Sequence, residues 1–77
     1  MYPRSPWVWA QGDLGYALCA LGKIQRDTKR LEEAAKAYGA VQRVYKKTGM
    51  EEYANKFAGK VEEVEKIIEQ LGAEANS

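Results

Sequence analysis

Apolar residues recur at helical spacing in three successive blocks of this chain. In the first, Trp7, Ala10, Leu14, Ala17, Leu18 and Leu21 share one face. Ser5 is a candidate N-cap, Pro6 suits a first helical turn, and Gly22 reads as a C-terminal stop, which predicts a helix over about residues 6–21. Residues 23–27 show no period and read as a connection, with Asp27 or Thr28 available to cap the next helix. In the second block Leu31, Ala34, Ala35, Tyr38, Val41 and Tyr45 line one side, predicting a helix over about 28–47 that ends at Thr48-Gly49. Gly39 inside it costs up to ~1 kcal/mol against Ala, a cost expected to mark a close backbone approach. In the third, Tyr53, Phe57, Val61, Val64, Ile68 and Leu71 form a stripe flanked by Ile67, predicting a helix over about 51–71 closed by Gly72, with a frayed tail from Ala73 to Ser77. No segment alternates with period two. The expectation is an all-α fold in a single domain, residues 1–77: an antiparallel helical hairpin followed by a long C-terminal capping helix.

Length sharpens this picture. The chain has 77 residues, and below roughly 70–80 residues a single core seldom supplies more than ~3–5 kcal/mol. Disulfides, metals or association usually make up the difference. One cysteine cannot pair within its own chain, and the absence of histidine removes the most used general base and zinc ligand. Neither enzyme activity nor a metal nor a cofactor is expected, and association with a protein or peptide partner, or with a copy of the chain, is. Net charge is +1, so there is no global pull toward nucleic acid or anionic lipid. No apolar run approaches the ~18 residues of a membrane span, so no insertion is expected. Met1 to Pro6 has one basic residue and no apolar run behind it, unlike a secretory leader. With a lone Cys19, a reducing cytoplasm is the expected compartment.

The order of small and large residues is more specific than the periodicity. Leu14-Gly15, then Leu18 and Gly22, resembles the first helix of a tetratricopeptide repeat, and Ala34, Tyr38 and Val41 resemble its second. Gly15 and Ala34 lie further apart than in the standard repeat, the extra length falling in residues 24–30. Arg30-Leu31-Glu32-Glu33-Ala34 and Trp9-Ala10-Gln11 are similar to runs in a longer bacterial version of the repeat. The resemblance covers about residues 8–47. It lacks the terminal proline, and the third helix offers only Ala58-Gly59 as an echo of Leu-Gly. It implies that small residues at Gly15 and Ala34 allow close helix approach, with Leu18 and Tyr38 filling the space alongside. It also implies a capping role for the third helix.

The first helix is apolar on more than one side. Opposite its first stripe lie Trp9, Tyr16 and Ala20, with Gly12 and Cys19 beside them, where a surface helix is ordinarily polar. The resemblance places this side on a concave groove and implies partner-binding positions Trp9, Gly12, Asp13, Tyr16, Cys19 and Ala20, with Leu21 and Lys23 at the rim. Two arrangements are open from the residues alone. Either the third helix folds across this face and buries it, or it packs mainly on the second helix and leaves Trp9 and Tyr16 open. Trp and Tyr are favoured at interface hot spots. The family's terminal-carboxylate clamp would need Asn where Asp13 and Tyr16 stand. Asp13 repels a carboxylate, so apolar or basic ligand side chains are expected. A small structural subunit or fragment of a larger helical-repeat assembly is the alternative reading.

Charge is segregated. Residues 23–48 carry eight basic against three acidic groups, and residues 49–77 three against seven. Lys36, Arg43 and Lys47 form a basic stripe that could make an electrostatic contact. Nucleic acid is a distant third reading, because no aromatics interleave the stripe and the acidic third helix repels phosphate. Cys19 has no histidine to activate it and reads as a packed small residue, while Glu62, Glu63 and Glu65 read as a solvated face.

Overall fold

The computed structural model describes residues 6–75. It is all-α, with α1 at Pro6–Gln25, α2 at Thr28–Lys47 and α3 at Glu51–Ala75. The chain runs up, down and up again, with α2 in the middle packing on both neighbours, while α1 and α3 scarcely touch.

The first turn forms where a helix must reverse within a few residues. The α1 helix runs through Gly22 to Gln25, beyond the expected end. Its exit is made by Arg26 in a left-handed conformation (φ 53°), with the Asp27 N–H donating to the Gly22 carbonyl at 3.0 Å. This is the hydrogen bond of a Schellman cap, with an arginine where glycine is usual. Asp27 then caps α2, its carboxylate accepting the Lys29 N–H at 3.0 Å. The candidate cap Ser5 lies outside the described residues. At the second turn Gly49 takes the left-handed position (φ 78°). Gly49 N–H donates to Lys46 O and Met50 N–H to Tyr45 O, completing a full Schellman pair. The α3 helix continues past Gly72 to Ala75, because nothing around that glycine demands a stop and the helix ends beside the first turn.

The core sits around α2. Leu31, Ala34, Tyr38 and Val64 form its buried cluster, with Leu18, Cys19, Phe57, Ile67, Ile68 and Leu71 packed against it. Because α2 has a neighbour on either side, Ala37 and Val41 are buried as well. No charged or polar side chain is buried among the described residues.

The packing face of α1 differs from the expected one. Val8, Gly15 and Gly22 are its buried residues, whereas Trp7, Leu14 and Leu21 are exposed. The reason is steric. A Cβ on Gly15 would fall 2.9 Å from two ring carbons of Tyr38, and one on Gly22 would fall 2.7 Å from Leu31 Cγ. The two glycines turn toward α2 because only they allow the helices this close, and the large residues of the adjacent stripe rotate outward with them. Gly22 therefore acts as a packing position and not as the end of the helix. Gly39, by contrast, has nothing within 4 Å of a built Cβ, so no close approach explains it.

Candidate functional site: an aromatic groove between the first and third helices

Because α1 and α3 flank α2 without closing on each other, a groove of about 540 Å³ opens between them. Its floor comes from α2 and the near side of α3. Tyr38 and Phe57 lie 5.8 Å apart, Phe57 and Tyr45 5.8 Å, and Tyr45 stacks on Tyr53 at 5.2 Å. These separations fall in the favourable range for aromatic pairs. The α1 wall is built by Val8, Trp9, Gly12, Asp13 and Tyr16. Trp9 is 59% exposed and Tyr16 69%, so the third helix does not bury this face. Gly12 keeps the wall thin at the centre, where a built Cβ would reach Phe57 at 3.9 Å.

The opposite wall is cationic. Tyr53, Lys56, Phe57 and Lys60 succeed one another at helical spacings of three, one and three, so they share a face of α3. Lys60 Nζ sits 5.6 Å from the Tyr38 ring centre and 5.9 Å from that of Phe57, and Lys56 Nζ lies 5.9 Å from that of Tyr53. Each ammonium rests against an aromatic face, as cation–π contact favours, with its head left accessible at the rim. Asp13 is the anion on the facing wall. Burial pushes the Tyr38 phenol above its usual range, with smaller electrostatic contributions from Cys19, Tyr16 and Glu63.

Of the residues singled out from sequence, Trp9, Gly12, Asp13 and Tyr16 come together on this groove. Cys19 packs instead against the core cluster, Ala20 is half-buried away from the groove, and Lys23 lies exposed about two turns beyond it. Lys36, Arg43 and Lys47 are all on α2, and none of them lines the aromatic groove. Among the described residues there is no cluster of three metal-ligating side chains, and no helix is long and apolar enough to cross a membrane.

Sequence reasoning missed the larger half of the site. Tyr38, Tyr45, Tyr53 and Phe57 read as core positions; Tyr38 and Phe57 do pack in the core, whereas Tyr53 is exposed, and all four line the groove. The signal was present in the lysines. Lys56 and Lys60 interrupt the aromatic stripe of α3 on its own face, where a fully buried stripe would carry none.

Compared with known proteins, the chain matches no family model, no curated protein and no solved structure.

Proposed function

We propose that this chain is a non-catalytic protein–protein interaction module that takes a short partner segment into the groove between α1 and α3. The observation that carries this reading is the open, largely aromatic cleft walled by the exposed Trp9 and Tyr16 and floored by four stacked or tilted rings. Rigid aromatic surfaces of this kind supply contact area at low entropic cost, which is why Trp and Tyr dominate hot spots. The tetratricopeptide resemblance of residues 8–47 supports the same face as the binding side.

Lys56 and Lys60 change the ligand that Asp13 alone suggested. The groove has two cations on one wall against one anion on the other. An apolar anchor residue with a neighbouring carboxylate suits that arrangement, the anchor on the rings and the acid toward α3. A second reading, a subunit of a larger helical assembly, is favoured by the exposed Trp7, Leu14 and Leu21 on the outer side of α1.

The experiment is selection from a displayed random peptide library against the folded chain. Enriched peptides are expected to carry an apolar residue near an Asp or Glu. Trp9→Ala is expected to weaken them at least about 30-fold, equivalent to about 2 kcal/mol. Peptides that bind Trp9→Ala and the parent chain equally would remove the groove from consideration.

A further inference from the structure

The side of α1 away from the groove, bordered by Glu33 and Lys36 of α2, carries a second apolar surface. Trp7, Ala10, Leu14, Ala17, Leu21 and Ile24 recur at alternating spacings of three and four, the a/d pattern of a helix seam. All six are exposed, Ile24 to 80% and Trp7, Leu14 and Leu21 to between 41% and 47%. A seam of this regularity is sustained over the length of α1, yet Trp7, Leu14 and Leu21 are covered only in part and Ile24 hardly at all.

We infer that this seam pairs with the same seam of a second copy, antiparallel, about a twofold axis between Leu14 and Ala17. The order of side-chain sizes selects the orientation. In an antiparallel pair Leu14 faces Ala17 of the other copy, Ala10 faces Leu21, and Trp7 faces Ile24. The four central layers then each combine a large with a small residue, and the end layers close the seam with Trp7 against Ile24. A parallel pair would stack leucine on leucine and alanine on alanine, alternating overfilled layers with voids. Antiparallel pairing also sets the helix dipoles in opposition. Beside Leu14 the rim carries Glu33 and Lys36, one charge of each sign, so the two copies meet there without net repulsion. The pairing leaves both aromatic grooves open and does not depend on what they bind.

Sedimentation equilibrium of the full chain tests this, with far-UV circular dichroism to confirm folding. The expected result is a concentration-dependent dimer of twice the 8.7 kDa mass. Leu14→Glu and, as a change at a smaller residue, Ala17→Glu are each expected to yield folded monomer, while Trp9→Ala remains dimeric. Orientation is read in a Cys19→Ser background. Ala10→Cys and Leu21→Cys chains mixed together are expected to form a disulfide-linked pair on mild oxidation. Neither is expected to link with itself, because antiparallel copies of one position lie about 16 Å apart along the axis. A chain that stays monomeric at every concentration overturns the inference. So does a dimer that survives both glutamates but is lost in Trp9→Ala, or one in which Ala10→Cys links to itself.

Discussion

Gly15 and Tyr38 meet as backbone against ring: a Cβ at position 15 would stand 2.9 Å from Tyr38 Cδ1 and Cε1. This contact sets the distance between α1 and α2, and it also fixes the ring that forms part of the groove floor.

Alanine at position 15 therefore has a different outcome from alanine at position 39. Tyr38 is buried and held by Phe57, so it has little room to retreat. Overpacking of this kind costs about 1–3 kcal/mol, which exceeds the gain of up to ~1 kcal/mol in helix propensity. Gly15→Ala is expected to lower stability by about 1–2 kcal/mol. Gly39→Ala meets nothing and is expected to raise it by about 0.5–1 kcal/mol. Thermal unfolding separates the two, since 1 kcal/mol moves the midpoint of so small a domain by roughly 4–8 °C. Equal shifts for the two variants would show that the close approach does not exist.

Arg26 holds the first turn in a conformation that suits glycine (φ 53°). A left-handed non-glycine residue costs roughly 1–2 kcal/mol. Arg26 pairs with Glu74 at the end of α3, but both side chains are well exposed, and such pairs contribute about 0–1 kcal/mol. Removing the strain outweighs losing the pair and the extra freedom glycine gains in the unfolded chain. Arg26→Gly is expected to raise stability by about 0.5 kcal/mol, and Arg26→Val to lower it by about 1 kcal/mol, since a β-branched side chain is most strained there. Urea midpoints that move in the same direction for both would contradict this account of the turn.

Tyr38 links stability to alkaline pH. Its phenol titrates above the ordinary 10.0 in the folded chain, chiefly because burial disfavours the phenolate. The unfolded chain then loses its proton first. The contribution is fully present below about pH 10 and is lost as pH rises toward the folded value. Tyr38→Phe retains the ring contacts and removes the ionisation. It is expected to be nearly neutral at pH 7 and to unfold less readily than the parent above pH 10, which denaturant titrations at the two pH values would reveal.

The helices were legible in the residues themselves. The α2 boundaries come from Asp27 and from Thr48-Gly49, because capping is local chemistry within a few positions of the chain. The same locality misled at Gly22 and Gly72. A glycine signals a helix end only when its own φ is left-handed, and that depends on what packs around it.

The rotation of α1 was not legible. Its sequence is apolar on nearly every side, so periodicity names candidate faces without choosing among them. Sterics between Gly15 and Tyr38, and between Gly22 and Leu31, made the choice and put Trp7, Leu14 and Leu21 outside. The same decision placed Trp9 and Tyr16 across an open groove from Lys56 and Lys60, residues about forty or more positions away. Amino-acid order by itself determined the number, type and approximate limits of the helices, since hydrogen bonding and capping act over one or two turns. Only tertiary packing decided which apolar stripes were covered, because that depends on how closely distant backbones can approach.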